Sequence, residues 1–181
     1  MQPIRQLANV LANLAGDAHW LFSLNDLAGA IPGHSRGALK ALVGRGAAVG
    51  LLKRVCQGIY CIPQSAPSGL VLYHTAAKLR ADAFNYLSLE SVLSDAGVIS
   101  QVPINWITVM SSGRSHVVRC GDFGSIEFVH TKKHPSDLAA DLVYDARCHL
   151  WRASVALALR DIKATRRNLD LVDWRGNHEF V

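Results

Sequence analysis

The spacing of apolar positions divides the first third of the chain into three short helices. Apolar residues recur three and four positions apart over residues 4–14, which is the pattern of an amphipathic helix. Ser23 and Asp26 have the spacing of a capping box and predict a second helix directly after them. The Pro-Gly pair at 32–33 stops that helix, and Ser35 is expected to cap a third.

A short basic hairpin is predicted after the third helix. Residues 51–62 have the pattern of two short strands around a basic turn, and Pro63 closes the segment. Three helices followed by a hairpin is the order of a winged helix-turn-helix, so residues 1–63 are predicted to be a DNA-binding domain of this kind. Residues 64–69 are polar and rich in turn-forming residues, and we interpret them as a linker.

The rest of the chain, residues 70–181, begins with a mixture of helical and strand patterns. Helical spacing is found over residues 71–83 and again after Ser88, which is expected to act as a simple N-cap. Three later segments are β-branched and apolar or alternate in polarity, as strands do: residues 106–110, 116–120 and 125–130.

Helical patterns return from Asp137 onward. Residues 150–159 predict a largely buried helix and residues 161–171 an amphipathic one. Trp151 and Trp174 lie at helical apolar positions and are expected to be core or interface anchors. The predicted fold class is therefore α+β: an N-terminal winged helix-turn-helix followed by a small mixed α/β C-terminal domain.

Composition and cysteine usage narrow the class of protein. Half of the 181 residues are hydrophobic and 18% are charged, so a packed core is expected. No apolar run approaches the ~20 residues that cross a bilayer, and the N-terminus lacks a signal-peptide pattern, which favours a cytoplasmic protein without membrane contact. Reduced cysteines are expected, and the Cys148-His149 neighbours have no second pair at ligand spacing, so neither a metal nor a cofactor is predicted.

Positive charge is concentrated at the N-terminal end. Residues 1–63 carry six basic and two acidic side chains, a net charge of +4, whereas the rest of the chain carries 13 against 12. Such an uneven distribution is expected of a domain that meets phosphates. Ordinary surface charge is the alternative interpretation.

Seven residues of the N-terminal domain are candidates for contact with DNA. The candidates on the third helix are Ser35, Arg36, Lys40 and Arg45. The candidates in the hairpin are Lys53, Arg54 and Gln57. Arginine near the start of a recognition helix can donate two hydrogen bonds to guanine O6 and N7. Ser35 and the free N–H groups of the helix start suit a phosphate oxygen, and Lys53 and Arg54 would hold the flanking backbone. The alternative is a solvated helix face.

The C-terminal part contains no set of residues that requires an enzyme, and no catalytic residue is assigned. Residues 111–114, Ser-Ser-Gly-Arg, have the composition of a phosphate cradle, but a turn between strands is favoured because no helix clearly starts after them. Residues 130–134 combine two histidines and two lysines, and an exposed loop closed by Pro135 is favoured over a nucleic-acid or proton-transfer site. The acidic residues are scattered and form no recognisable carboxylate pair: Glu90, Asp95 and Asp122.

Three motifs give the chain a family resemblance. The hairpin exit at 58–63 has the form Gly-x-Tyr-x-x-Pro, and the segment 86–97 has the form Tyr-x-Ser-x-Glu-Ser-x-Leu-x-x-x-Gly. A strand then ends in Ile-Thr-Val-Met-Ser-Ser-Gly-Arg at 107–114. In this order the motifs resemble the AbiEi antitoxins of type IV toxin–antitoxin systems, over most of residues 5–165. The chain departs from longer members in its compact C-terminal part, and a helix that often begins with proline and glutamate in relatives is represented by Trp-Arg-Ala-Ser-Val-Ala-Leu from 151.

The resemblance implies two functions. The N-terminal domain would bind double-stranded promoter DNA with inverted repeats and would repress its own operon. Self-association of the protein on DNA is compatible with the two-fold symmetry of inverted repeats. The C-terminal domain would counter a cognate nucleotidyltransferase-like toxin, which need not involve direct contact. Two other classes stay open: a stand-alone regulator with a C-terminal ligand-sensing domain, and a nucleic-acid-acting enzyme that a winged helix targets to its substrate.

Overall fold

Helices and two β-sheets make up the chain, which confirms the α+β class. The computed structural model describes residues 2–16, 19–100, 105–168 and 170. The chain divides into two compact units, Met1–Val71 and Leu72–Val181. Residues 64–69, which we interpreted as a linker, therefore belong to the first unit.

The first unit combines three helices with a three-stranded antiparallel sheet. In chain order its elements are α1 (Pro3–Leu14), β1 (Leu21–Ser23), α2 (Leu24–Ala30), α3 (Arg36–Ala48), β2 (Lys53–Cys56) and β3 (Ile59–Cys61). The strand order is β1-β3-β2, so the last strand lies between the other two.

Local capping explains where α2 and α3 begin. The Asp26 N–H donates to Ser23 Oγ at 3.1 Å, and the Ser23 N–H donates to Asp26 Oδ2 at 2.7 Å, which confirms the predicted capping box. Ser35 Oγ accepts a hydrogen bond from the Ala38 N–H at 3.2 Å, which confirms the predicted N-cap of α3.

The core of the first unit lies between the helices and the sheet. Its buried members come from every element except β2 and include Leu7, Leu11, Phe22, Leu27, Leu39, Leu42, Val43 and Tyr60. Helix α1 approaches α3 closely at Gly46, where an added Cβ would lie 2.7 Å from Leu7 Cδ2. Only a residue without a side chain fits there without moving its neighbour.

Two details of the first unit differ from the sequence prediction. The apolar stretch before Ser23 forms β1, a third strand that periodicity did not reveal because it is only three residues long. The hairpin turn is not basic: it consists of Gln57 and Gly58, whereas Lys53 and Arg54 lie on β2. Gly58 has a φ of +78°, a conformation that glycine adopts without strain.

The second unit is built around one six-stranded mixed sheet. Its helices are α4 (Val71–Leu79, which begins at the unit boundary), α5 (Leu89–Asp95), α6 (Pro135–Leu138) and α7 (Val155–Ala164). Its strands are β4 (Asn85–Leu87), β5 (Trp106–Ser111), β6 (His116–Arg119), β7 (Ser125–His130), β8 (Leu142–Asp145) and β9 (Leu150–Ala153). The order is β6-β7-β5-β4-β9-β8, with β5/β7 and β4/β9 parallel and the other pairs antiparallel.

The prediction of a buried helix over residues 150–159 is correct for residues 155–159, which belong to α7, and wrong for residues 150–153. Residues 150–153 form β9, which pairs with β4 on one side and β8 on the other. Ser154 then caps α7 by accepting from the Leu157 N–H at 3.1 Å. Trp151 consequently lies on a strand with 43% of its surface exposed, not in a helical core.

Helix α7 covers only the first four residues of the amphipathic helix predicted over residues 161–171. Ala164 is its last residue, and Thr165 is its C-cap. Trp174, the second predicted anchor, lies outside the described residues. Within the described part of the chain, no helix has the length and apolar character of a membrane span.

Candidate nucleic-acid interface

Helix α3 exposes a face of basic and small residues. Arg36, Lys40 and Arg45 are exposed, and Arg36 and Lys40 share one side of the helix because they are four positions apart. Small exposed residues follow a second line at the same helical spacing: Gly37, Ala41, Gly44 and Ala48. This face therefore combines positive charge with a surface that another molecule can approach closely.

Acidic side chains are missing from a long stretch around this face. Residues 27–81 contain no aspartate or glutamate. In the described part of the first unit the one carboxylate is that of Asp26, and it is engaged in the cap of α2. The stretch that contains α3 and the hairpin therefore contributes basic side chains and no acidic ones.

The hairpin presents three of the predicted contact residues. Arg54 is exposed on β2, and its Nε donates to the Cys56 carbonyl oxygen at 3.3 Å. Gln57 is exposed in the turn, and the Gly58 carbonyl oxygen accepts from the Leu24 N–H at 3.0 Å, which fixes the turn to the start of α2. Lys53 is half-buried opposite Cys61.

The buried thiol opposite Lys53 stays protonated at neutral pH. Burial raises the pKa of the Cys61 thiol, and the positive charge of Lys53 opposes this only in part.

Six of the seven predicted contact residues are exposed, all but Lys53, and all seven lie in the first unit.

In the second unit, a buried carboxylate joins three separate segments. Asp161 on α7 is fully buried, and its Oδ2 accepts from the Tyr86 hydroxyl at 3.0 Å and from Ser88 Oγ at 2.7 Å. Its Oδ1 accepts from Lys133 Nζ at 2.7 Å. Burial, followed by the nearby Asp161 charge, raises the pKa of Tyr86 well above its usual value, so the phenol remains a neutral donor.

This cluster corrects two sequence predictions. Ser88 precedes α5, but its hydroxyl donates to Asp161 and does not cap the helix. Lys133 belongs to the 130–134 segment that we expected to be a solvated loop, yet it forms an ion pair with Asp161. Sequence reasoning did not identify Asp161, although an acid among apolar residues of a helix was a usable signal.

Residues 112–115 connect β5 to β6, as predicted, but Ser111 is the last residue of β5 and not part of the turn. Ser111 Oγ is buried, donates to Asn85 Oδ1 at 2.7 Å and accepts from Arg80 Nη1 at 2.8 Å and from the Gly113 N–H at 3.1 Å. Arg80 also donates to the Arg114 carbonyl oxygen. These groups hold the turn together, which argues against a free anion cradle.

Other charged groups of the second unit are paired within the protein. Arg167 bridges Glu90, at 2.8 Å, and Glu127. Arg152 pairs with Asp95 at 2.8 Å. The acidic residues that appeared scattered in the sequence thus include two that contribute to structural ion pairs, Glu90 and Asp95.

Thiol and metal chemistry find no support in the described residues. All four cysteines, at positions 56, 61, 120 and 148, are free and buried. Burial, aided by the Asp145 carboxylate, raises the pKa of Cys148 to about 11, so this thiol is protonated at neutral pH. Across residues 2–16, 19–100, 105–168 and 170, no three His, Cys, Asp or Glu side chains are grouped as a metal site would require.

No family model matches this chain, and the comparison with curated proteins found no match.

Proposed function

We propose that the first unit is a winged helix-turn-helix that binds double-stranded DNA, with α3 as the recognition helix and the β2–β3 hairpin as the wing. The exposed, basic and acid-free face of α3 is the observation that carries this proposal. The element order, with a strand between the first two helices and a hairpin after the third, supports it.

In this proposal each part of the face has a separate task. Arg36, in the first turn of α3, donates to a base edge in the major groove, while Lys40 and Arg45 contact phosphates. The line of glycines and alanines lets the helix lie close to the groove wall. The wing contacts the sugar-phosphate backbone of the DNA beside the major groove through Lys53, Arg54 and Gln57.

We further propose that the chain is an autorepressor and antitoxin of the AbiEi type. The Gly-x-Tyr-x-x-Pro hairpin exit at 58–63 and the motif at 86–97 support this. Its partners would be promoter DNA with inverted repeats, on which copies of the chain associate, and a nucleotidyltransferase-like toxin encoded beside it. It would act in the cytoplasm as a regulator without a cofactor and not as an enzyme.

A ligand-sensing second unit is the main alternative. A shallow pocket of about 190 Å³ lies beside β9 and is lined in part by Arg80, Asn85, Tyr144 and Trp151. Two of its polar side chains are already engaged, because Asn85 bonds to Ser111 and to backbone carbonyl oxygens, and Arg80 bonds to Ser111. This favours a structural role for them over recognition of a small molecule.

Salt dependence of binding tests the DNA proposal. Affinity for the DNA upstream of its own gene should fall with salt, with a log–log slope of about −0.9 per neutralised phosphate. The double variant Lys40→Ala/Arg45→Ala should reduce the slope by about two units, because two phosphate contacts are lost. Arg114→Ala/Arg119→Ala removes the same charge from exposed positions of the second unit and should leave the slope unchanged. Equal slopes for both double variants would exclude α3 as the contact surface.

A further inference from the structure

Two segments that the sequence patterns left as a turn and a loop lie side by side in the second unit. Strands β5 and β7 are parallel, so residues 112–115 and 131–134 leave the sheet at the same end. The His130 N–H donates to Ser115 Oγ at 2.9 Å, and His130 Nδ1 donates to the Gly113 carbonyl oxygen at 2.9 Å. The two segments therefore form one continuous surface, which we call the cationic surface.

The cationic surface carries basic side chains that have no internal partner. Arg114 and Lys132 are exposed, and within the described part of the chain neither side chain forms an ion pair or a hydrogen bond. Residues 112–121 and 128–136 contain no aspartate or glutamate. Three exposed histidines lie at the same end of the sheet: His116, His130 and His134. Phosphate oxygens suit such a surface, because all of these side chains can donate hydrogen bonds to them.

The carboxylates nearest to the cationic surface do not cover it. Asp161 is buried and pairs with Lys133 at 2.7 Å. Asp145 is half-buried and accepts from two backbone N–H groups. Asp82 and Asp137 are exposed, but they belong to the segment before β4 and to α6. The two segments of the surface therefore present cations and imidazoles without acids.

An aromatic pocket adjoins the cationic surface. The pocket of about 190 Å³ beside β9 is lined in part by Phe84, Tyr144 and Trp151. Tyr144 and Trp151 are 50% and 43% exposed, and their ring centroids are 5.4 Å apart. The Ser112 N–H donates to the Phe84 carbonyl oxygen at 2.9 Å, and the Phe84 N–H donates to Ser112 Oγ at 3.1 Å. These bonds join the wall of the pocket to the turn that carries Arg114.

Exposed aromatic rings beside unpaired cations match one class of polyanion best. Proteins hold single strands by stacking bases on aromatic rings while basic groups bind the phosphates. In a duplex the bases are stacked on each other, whereas RNA loops and ends offer unstacked ones. An acidic peptide or a sulfated sugar supplies charge but no base. Since Asn85 and Arg80 are already bonded to Ser111, stacking, which accepts any base, is favoured over reading of base edges.

We propose that the second unit binds single-stranded RNA, with bases stacked on Trp151 and Tyr144 and adjacent phosphates bound by Arg114 and Lys132. This surface is separate from α3, the helix that we propose contacts duplex DNA. The inference goes beyond the proposed function and does not depend on it, because RNA binding is measured without operator or toxin.

Binding of a labelled RNA to the full chain tests this proposal. Fluorescence anisotropy with an oligonucleotide of about 12 nucleotides, within the range of ~4–16 that such surfaces cover, measures the affinity. Trp151→Ala should weaken binding at least about fivefold, through the loss of a stacked base, whereas Trp151→Phe keeps a ring and should stay within about twofold of the wild type. Arg114→Ala/Lys132→Ala should reduce the log–log salt slope by about 1.4, or about 0.7 per phosphate contact.

Two controls separate this surface from general attraction of polyanions. Arg5→Ala/Arg119→Ala removes two exposed cations outside the surface and should leave RNA affinity unchanged. Heparin, which has charge but no bases, should bind equally well to Trp151→Ala and to the wild type. An excess of duplex operator should not displace the RNA, because duplex bases cannot reach the aromatic rings.

Tryptophan fluorescence reports stacking directly. RNA should quench the emission of the wild type and change that of Trp151→Phe much less, although this variant still binds. A purely structural role of Trp151 would leave the quenching equal in both proteins. Circular dichroism melting should first show that each variant is folded.

Five results would overturn the proposal. They are no RNA binding by the full chain at low salt, unchanged RNA affinity in folded Trp151→Ala, equal losses of RNA and heparin binding in that variant, equal quenching of the wild type and Trp151→Phe, and displacement of RNA by duplex DNA. Tighter binding of a DNA oligonucleotide of the same sequence would assign the surface to single-stranded DNA instead.

Discussion

Arg36 and Lys53 differ in position in a way that separates the two kinds of DNA contact that we propose. Arg36 is exposed in the first turn of α3, where a guanidinium can reach base edges, whereas Lys53 is half-buried on β2. Arg36→Ala should lose about 1–3 kcal/mol of binding free energy and relax preference at one operator position. Lys53→Ala should weaken binding to all sequences alike and reduce the salt slope by about one unit.

Binding titrations with an operator and a set of single-base variants distinguish these effects. Circular dichroism melting should first show that both proteins are folded, since Lys53 also contacts its neighbours. If both variants keep wild-type affinity and sequence preference, α3 and the hairpin do not form the reading surface.

Loss of the Asp161 side chain should destabilise the second unit. Its side chain is buried and accepts hydrogen bonds from Tyr86, Ser88 and Lys133. Asp161→Ala should lower the free energy of unfolding by about 3–5 kcal/mol, because two buried hydroxyls and an ammonium lose their acceptor. Tyr86→Phe removes one donor and should cost only about 1–2 kcal/mol.

Urea denaturation of the full chain measures both changes. The control is Asp137→Ala, which removes an exposed carboxylate from α6 and should change stability by less than about 0.5 kcal/mol. An Asp161→Ala protein as stable as the control would show that the cluster contributes nothing to folding.

The separation along the sequence between bonded residues explains which roles could be predicted. Ser23 and Ser35 bond to backbone groups three residues away, and both caps were predicted correctly from their spacing. Ser88 and Lys133 bond to Asp161 from 73 and 28 residues away. No local pattern encodes such pairs, so Ser88 was assigned as a cap and Lys133 as part of a solvated loop.

At the scale of elements, the same contrast separates α1 from β9. Helix α1 has a clear amphipathic repeat, and its prediction over residues 4–14 agrees with Pro3–Leu14. Strand β9 is a short apolar segment that continues directly into α7, and periodicity cannot divide such a run. Its pairing with β8 and with β4, which lies more than 60 residues earlier in the chain, determines that it is a strand.

Helix α3 contains two glycines whose replacement should have opposite effects. Gly44 is exposed with no heavy atom within 4 Å of an added Cβ, whereas Gly46 is buried with Leu7 Cδ2 at 2.7 Å. Gly44→Ala should stabilise the protein by about 0.5–1 kcal/mol through helix propensity. Gly46→Ala should be destabilising overall, because overpacking costs about 1–3 kcal/mol and exceeds that gain.

Thermal unfolding of the two alanine variants, compared with the wild type, tests this packing. The two substitutions are chemically identical and two residues apart, so helix propensity is matched between them. Equal stabilisation of both would mean that the Leu7 side chain moves away from the added methyl group without cost, and that the close approach at Gly46 does not constrain the core.

At the scale of the whole molecule, charge and chemistry are divided between the two units. The acid-free stretch 27–81 covers α3, the hairpin and α4, whereas the ion pairs formed by Asp161, Arg167 and Arg152 lie in the second unit. A segment that carries basic but no acidic side chains suits a nucleic-acid contact. A unit with internally paired charges suits a stable scaffold that presents another surface.

This division predicts that the proposed DNA binding and the proposed antitoxin activity can be separated by cutting the chain before α4. A cut after Gly69 leaves the helices and sheet of the first unit intact and gives the second unit its own sheet and helices. Residues 1–69 should bind operator DNA, more weakly than the full chain because paired half-sites are no longer linked, and should not protect cells. Residues 70–181, at about 110 residues, are long enough to fold alone and should protect cells from the toxin without repressing the promoter.

Growth rescue and promoter-reporter activity, measured for both fragments and the full chain, test the separation. Soluble expression and a cooperative melting transition must be shown first, because Val71 and Leu72 are buried next to the cut. A full-length Arg36→Ala variant is the matched control, since it should lose repression and keep protection without any cut. If the folded 70–181 fragment and the Arg36→Ala chain both fail to protect while the full chain protects, antitoxin activity requires DNA binding. If only the fragment fails, it requires both units in one chain, and the two functions are not separable at this boundary.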